Sequence, residues 1–109
     1  MQELVKLVVF VPETHADRVR LAMGDAGAGK IGPYSHCSFS TKGTGRFRPL
    51  HGADPAIGDI GDYEEVAEQR IEIACEKAQV QTIITAIKAV HPYEEIAVDI
   101  YPMLVLEGE

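Results

Sequence analysis

The chain has 109 residues, of which 46% are hydrophobic and 25% charged, and its formal net charge is −7. This length predicts a single domain, residues 1–109, and the acidic balance argues against a nucleic-acid partner, because nucleic-acid binders carry a basic face. The longest apolar run, Leu7–Val11, is too short to span a bilayer, so we expect no membrane partner and a cytoplasmic location.

The chain opens with a short β-branched run, Glu3–Pro12, which ends in a proline and predicts a buried strand. Residues 13–29 predict an amphipathic helix, because apolar side chains recur there at helical spacing. Thr14, with Asp17 three residues later, forms a candidate capping box at the start of this helix.

The segment Gly24–Ile31, with the sequence GDAGAGKI, matches all but the last position of a phosphate-binding loop. A P-loop joins the end of a strand to the start of a helix and supplies a Ser or Thr hydroxyl for Mg²⁺. Here the glycines follow a helix, and Ile31 stands at the hydroxyl position. We therefore interpret the glycines as the end of the helix rather than as a nucleotide site.

Residues 34–50 predict a β-hairpin in which Lys42–Gly45 forms the turn. Pro49 favours an edge position for the returning strand, because proline cannot donate to a ladder. His51–Glu65 contains three glycines, a proline and three aspartates, and predicts a long loop. Loops of that length in compact domains are often functional.

The second half of the chain repeats the pattern of the first. Glu65–Lys77 alternates as a strand, with Ile71, Ile73 and Cys75 on one face. Residues 78–92 predict an amphipathic helix, residues 94–102 a strand with one buried face, and residues 103–109 a short edge strand. The order βαββαβ predicts an α+β, ferredoxin-like sandwich: an antiparallel sheet with two helices on one face.

Two segments, Tyr34–Gly58 and His91–Met103, resemble the PII/CutA-like domain found inserted in the YqfO-type, Nif-three-like proteins, and the resemblance spans essentially the whole chain. It implies a PII/CutA-like fold and assembly as a homotrimer, as in the PII signalling proteins and the CutA proteins. The longer proteins hold two metal ions in flanking domains, so no residue of that dinuclear site is placed here. The nucleotide-binding motifs of PII proteins are not found in this sequence either. We expect a free-standing small protein without enzymatic activity.

His36 and Cys37 are a candidate Cys–His nucleophile pair, but neighbouring residues on a strand point to opposite faces. Cys37 shares its face with Phe39, which favours a small core residue, and Cys75 has the same interpretation. A Cys-dependent enzyme is therefore the least favoured function.

The candidate ligand-binding residues are polar or basic and lie near the predicted hairpin. The polar face of its first strand is where a ligand or a second subunit would cover the sheet. Two arginines beside glycines suit a phosphate or carboxylate ligand, and pairing with this chain's own acidic side chains is the alternative. The set is Tyr34, His36, Ser38, Arg46, Arg48 and His51.

His36, His51 and Glu94 are candidate ligands for a divalent metal ion, the candidate cofactor, and His91 is a further imidazole. None of them shows ligand spacing such as HxxxH, so exposed or interface histidines are the alternative. The favoured function is a small-ligand- or ion-binding, regulatory module that acts as a homo-oligomer. A divalent-metal-binding protein is the alternative.

Overall fold

Four strands and two helices follow one another in the predicted order βαββαβ in the computed structural model, which describes residues 3–104 and 106. They are β1 (Leu4–Pro12), α1 (Glu13–Asp25), β2 (Phe39–Phe47), β3 (Glu64–Glu76), α2 (Val80–Val90) and β4 (Val98–Pro102). A 3₁₀ turn, Lys77–Gln79, leads into α2. The strands form one antiparallel sheet in the order β2-β3-β1-β4, which confirms the predicted α+β sandwich.

The hydrophobic core lies between the two helices and one face of the sheet. Alternate residues of β1 and β3 enter it, as the two-residue period of β3 predicted. Each helix contributes side chains one turn apart, such as Ile83 and Ile87 on α2, both fully buried. Burying one such side chain contributes roughly 1.5–3 kcal/mol. The fully assembled cluster comprises Val5, Leu7, Val9, Val11, Ala16, Val19, Met23, Ala28, Ile71, Ile73, Cys75, Ile83 and Ile87.

α1 ends at Asp25, and the glycines that follow it confirm the predicted end of the helix within GDAGAGKI. Gly27 and Gly29 have φ angles of 109° and 79°, in the left-handed region that favours glycine. The backbone N–H of Gly29 donates to the carbonyl of Ala74 on β3 at 2.7 Å, so this loop is tied to the sheet.

The capping box predicted at the start of α1 is wrong. The helix begins at Glu13 with Pro12 at the N-cap, so the Thr14 hydroxyl lies within the first turn, 2.8 Å from Nδ1 of His15. Asp17 accepts a hydrogen bond from Arg20 at 2.7 Å instead of reaching back to the cap.

β2 is one uninterrupted edge strand, so the turn predicted at Lys42–Gly45 is wrong. Gly43 lies opposite Glu68 in the ladder with β3, and Gly45 continues the same ladder. The hairpin is instead formed by β2 and β3, joined by residues 48–63, here called the cleft loop. A side chain at Gly45 would collide with the carboxylate of Glu68 across the ladder. The missing side chain at Gly45 therefore makes room for a residue of the neighbouring strand and does not mark a turn.

The last strand is shorter than predicted and begins at Val98 rather than Glu94. Ile96, Val98 and Ile100 share the face that the alternating pattern predicts to be buried. Ile96 and Val98 do pack against the core, whereas Ile100 is 45% exposed. Of the predicted edge strand 103–109, residues 103, 104 and 106 are not in a strand, and the others lie outside the described residues.

The outer ends of β1 and β4 lie side by side. The two strands are antiparallel neighbours, and the backbone N–H of Met103 donates to the carbonyl of Leu4 at 3.1 Å. Across the part of the chain that the structure describes, no helix has the length and apolar character needed to cross a membrane.

Candidate functional site

A cleft of about 570 Å³ opens on the sheet face opposite the helices, at the carboxyl end of β2. Phe10 and Glu68 alternate along their strands with core residues, which places both on this open face. The walls are mostly apolar and include Phe10, Phe47, Leu50, Pro55, Ile57 and Tyr93. The cleft is therefore a concave apolar surface with a few polar groups, the usual form of a small-molecule site.

Two irregular segments supply the walls of the cleft: the cleft loop and the α2–β4 connection, residues 91–97. Glu94 on the connection accepts a hydrogen bond from the backbone N–H of Asp54 on the loop, from nitrogen to Oε1 at 2.8 Å. Within the loop, Nε of Arg48 donates to the carbonyl of Gly61 at 3.1 Å. The first contact joins the two walls, and the second holds the two ends of the cleft loop together.

The floor of the cleft carries a carboxylate, Glu68, which is only 8% exposed. Its Oε2 accepts a hydrogen bond from the hydroxyl of Tyr93 at 2.7 Å. Burial, and then the hydrogen bond to Glu68 and its charge, raise the pKa of Tyr93 well above its usual range. Tyr93 therefore remains a donor at neutral pH, and its ring packs edge-on against Phe47 at 5.8 Å between ring centres.

His91 fixes the position of Tyr93 from the backbone side. His91 is 7% exposed as a residue, its Nε2 lies 2.8 Å from the carbonyl of Phe10, and its Nδ1 accepts from the N–H of Tyr93 at 3.2 Å. These partners assign the proton to Nε2. Burial lowers the pKa of His91, against the opposing influence of the Phe10 carbonyl and of Glu68. Because both ring nitrogens are engaged by the backbone, His91 is a structural residue rather than the metal ligand considered from the sequence.

Tyr34, His36 and Ser38 lie in the connection between α1 and β2, apart from the cleft lining. The prediction that they share one strand face is wrong, because the connection forms turns and His36 has a φ of 61°. Nε2 of His36 lies 2.8 Å from Oδ1 of Asp25, and its ring lies against Gly24, where a Cβ would collide with it. His36 therefore fastens the connection to the end of α1.

Arg46 and Arg48 line the cleft, whereas His51 is exposed on the cleft loop. Nε of Arg46 lies 3.3 Å from Oε1 of Glu65, and the guanidinium of Arg48 lies 5.2 Å from the ring centre of Tyr63. Arg46 thus pairs with an acidic side chain of this chain, as in the alternative that the sequence left open, whereas Arg48 contacts an aromatic ring and a backbone carbonyl. A ligand-binding role for the six predicted residues remains a prediction.

The predicted metal ligands do not gather in one copy of the chain. Among residues 3–104 and 106, no three His, Cys, Asp or Glu side chains lie close enough together to hold a metal ion. His36 is bonded to Asp25 on one side of the fold, and Glu94 is bonded to the cleft loop. A metal site that includes His36, His51 and Glu94 would need ligands from more than one copy.

The two cysteines are both free thiols and differ in burial. Cys75 is 5% exposed, as its place on the core face of β3 predicted, and burial followed by the charge of Glu76 raises its pKa. Cys37 is half-buried rather than part of the core, and Phe39 is 68% exposed. The predicted buried face shared by these two residues is wrong, because the segment before Phe39 is not a strand.

The sequence pattern alone does not single out Glu68 as a functional residue. Glu68 lies in an alternating strand with several other charged residues, a pattern typical of a solvated face. Only the ladder with β2 and the hydrogen bond from Tyr93 distinguish it. Gly45, the residue without a side chain beside it, was the one local signal, and it indicated a turn.

Comparisons with known proteins place the chain within longer relatives. No protein-family model matches it. It is 51% identical over 100 residues to the GTP cyclohydrolase 1 type 2 homolog of Bacillus subtilis, a match that covers 92% of this chain and 27% of that protein. The protein of the same name from Halalkalibacterium halodurans is 52% identical over 108 residues, covering 99% and 29%. The chain thus spans less than a third of the length of these curated relatives.

Solved structures agree with the fold. A Bacillus cereus protein related to NIF3 matches with a TM-score of 0.81 and 50% identity, over 94% of this chain and 26% of that one. The periplasmic divalent cation tolerance protein CutA from Archaeoglobus fulgidus matches at 0.70 and 14% identity, over 95% and 88%. GlnK of B. subtilis, solved with ATP, matches at 0.63 and 12% identity, over 94% and 84%. The last two matches show the shared fold alone. Together with the curated relatives, these matches show that the chain corresponds to one domain-sized part of the YqfO-type, NIF3-related proteins and has the fold of the CutA and PII-like proteins.

Proposed function

We propose that the chain is a non-enzymatic, regulatory module that binds a small ligand in the cleft and acts as a homo-oligomer, a trimer as the resemblance implies. The observation that carries this proposal is the cleft itself, with apolar walls and the hydrogen-bonded pair Glu68 and Tyr93 at its floor. Its volume of about 570 Å³ falls within the range of small-molecule sites. The site is assembled from the cleft loop and the α2–β4 connection, so occupation of the cleft can change how both segments are presented to other subunits.

The absence of catalysis in this proposal is supported by how the potential nucleophile is placed. A thiol enzyme needs a base within hydrogen-bonding reach of the sulfur. The two ring nitrogens of His36 are engaged by Asp25 and by the hydroxyl of Ser35, each at 2.8 Å, while Cys37 Sγ lies 3.9 Å from the Ser35 carbonyl. The neighbouring imidazole is thus committed away from the thiol. The name of the curated relatives belongs to proteins more than three times as long as this chain.

Assembly is supported by apolar side chains at both edges of the sheet. Phe39 on β2 is 68% exposed, and Ile100 and Tyr101 on β4 are 45% and 47% exposed. Edge strands with exposed apolar side chains gain by pairing with another chain, because association removes that surface from water. We further propose a cytoplasmic location, since Cys37 and Cys75 are both free thiols, which suits a reducing compartment.

A divalent-metal-binding protein is the alternative function, and it would use ligands from more than one subunit. One solved neighbour is named a divalent cation tolerance protein, although that similarity concerns the fold. Metal retained in proportion to subunits would favour this alternative.

Native mass spectrometry of untagged protein, before and after chelation, tests these proposals together. A trimer that carries an organic ligand and keeps it after chelation supports the module. Ile57 lines the cleft, whereas Ile60 lies on the same loop apart from the lining. We expect Ile57→Arg to lose the ligand because the long side chain occupies the cleft, and Ile60→Arg to keep it. A monomer that carries nothing, or a ligand unaffected by Ile57→Arg, would contradict the proposal.

A further inference from the structure

The floor of the cleft places a carboxylate where an acid is costly to bury. Glu68 is 8% exposed, and its described hydrogen bond is donated by the neutral hydroxyl of Tyr93 at 2.7 Å. On its other side the carboxylate lies against the backbone of Gly45, which has no side chain to displace it. Burying a charge is unfavourable unless an opposite charge or several donors compensate it. Glu68 is therefore suited to accept a further donor or cation from the cleft.

The arginines around the cleft have other partners. Arg46 lies 3.3 Å from Glu65, and Arg48 donates to the carbonyl of Gly61. Arg70, the next residue on the same face of β3, lies over the ring of Phe10 at 5.8 Å, and its Nε lies 3.7 Å from Oε2 of Glu72. The cationic side chains are thus directed to groups other than Glu68, and the charge at the floor of the cleft is negative.

The walls beside Glu68 are aromatic as well as apolar. Phe10, Phe47 and Tyr93 all line the cleft, and the last two rings form an edge-to-face pair. The faces of aromatic rings attract cations, and the attraction grows when water is excluded. A ligand with an ammonium group and an apolar body would satisfy the carboxylate, the rings and the remaining walls at once.

We propose that the cleft takes an organic amine: a protonated amino group received by Glu68, with an apolar body lying between the cleft loop and the α2–β4 connection. This inference rests on the proposed function, that the cleft binds a small ligand, and adds the chemical class of that ligand. It opposes the phosphate or carboxylate ligand suggested by the two arginines in the sequence.

Three probes with the same phenylethyl body separate these possibilities: 2-phenylethylamine, 2-phenylethanol and 3-phenylpropionate. Each is titrated at pH 7 into ¹⁵N-labelled protein, and binding is followed by amide shifts of residues that line the cleft. We expect the amine to bind about tenfold more tightly than the alcohol, the usual size of a hydrogen bond to a charged partner. We expect the carboxylate to bind most weakly, since Glu68 repels it.

Glu68→Gln keeps the size of the side chain and an oxygen for Tyr93, and it should remove the preference for the amine over the alcohol. Glu64→Gln changes the same charge on the same strand, outside the cleft lining and outside the ion pairs of Arg46 and Arg70, and should keep the preference. The amine preference of the unaltered protein is itself a test that does not depend on how either variant folds.

The outcomes distinguish the two levels of the proposal. Equal binding of amine and alcohol in the cleft, or tighter binding of the carboxylate, would overturn the amine assignment while supporting a ligand site. A preference that survives Glu68→Gln would also overturn it. Shifts outside the cleft for all three probes, or none, would overturn both the assignment and the ligand site.

Discussion

Two glycines on β2 provide a matched test of the contact between this edge strand and Glu68. Gly43 and Gly45 lie on the same strand and, two residues apart, on the same face. A Cβ at Gly43 meets nothing within 4 Å, whereas a Cβ at Gly45 would collide with the Glu68 carboxylate, whose Oε2 would lie at 2.8 Å. Gly43→Ala and Gly45→Ala therefore differ in this one contact.

The size of the effect follows from what the carboxylate must give up. Alanine in a strand gains about 0.5–1 kcal/mol over glycine, so Gly43→Ala should raise the free energy of unfolding by roughly that amount. At Gly45 the same gain is opposed, because the displaced Glu68 loses its hydrogen bond from Tyr93. A hydrogen bond to a charged group contributes about 1.5–3 kcal/mol, so Gly45→Ala should cost about 1–2 kcal/mol net.

Thermal unfolding at a fixed protein concentration measures this difference. For a chain of 109 residues, 1 kcal/mol corresponds to about 4 °C in the unfolding midpoint. We expect Gly45→Ala to unfold about 4–8 °C below the parent and Gly43→Ala slightly above it. In a Tyr93→Phe background the hydrogen bond is already absent, so the cost of Gly45→Ala should fall by at least half. If Gly45→Ala is as stable as Gly43→Ala, the contact between β2 and Glu68 does not exist in the form described.

Three further predictions concern His91, the cleft loop and the buried thiol. Because burial holds the pKa of His91 below its ordinary value of about 6.5, the unfolded chain takes up the proton first as the pH falls. The free energy of unfolding should therefore decrease as the pH falls below about 6.5. In denaturant titrations between about pH 6.5 and 5.5, His91→Gln should make this dependence on pH weaker, and His51→Gln should leave it unchanged. Equal pH dependence in the two variants would contradict a neutral, buried imidazole. Glu94→Ala removes the acceptor that holds the cleft loop, so amide hydrogen exchange in that loop should quicken several-fold, corresponding to roughly 1 kcal/mol, and Glu95→Ala should leave it unchanged. Cys75 should react with an alkylating reagent only as fast as the protein unfolds, because it is 5% exposed and burial raises its pKa; rapid labelling of its peptide in the native protein, read by mass spectrometry, would refute this.

The arrangement of the sheet and helices could be predicted from the sequence because its signals are local. Ile71, Ile73 and Cys75 alternate with polar residues along β3, and α2 carries one apolar stripe. The buried face of each element can therefore be predicted from its own residues. The turn predicted within β2 was wrong because that prediction also used local signals alone. The glycines at its centre resemble a turn locally, and the cause of Gly45 lies on another strand.

The candidate site could be predicted only in part, because most of its chemistry depends on register. Arg46 and Arg48 were predicted as ligands of an anion and Glu94 as a metal ligand; all three line the cleft, while those roles remain predictions. Glu68 could not be separated from the other acidic residues of β3 until the ladder placed it beside Gly45 and beneath Tyr93. His36 was predicted on a strand, and this was wrong because the alternating pattern of side chains does not reveal that its backbone is left-handed.

The hydrogen bond between Leu4 and Met103 has a consequence for how such a domain can be inserted into another protein. The chain enters and leaves the fold at neighbouring points, within a single backbone hydrogen bond. A unit of this shape can be grafted into a surface loop of a host through one opening, since it separates the host's two cut ends by little more than the distance between adjacent strands. The host chain can then continue its own fold, because the strands of the inserted unit pair with one another. This chain matches about a quarter of the length of its longer relatives, which is compatible with such an insertion.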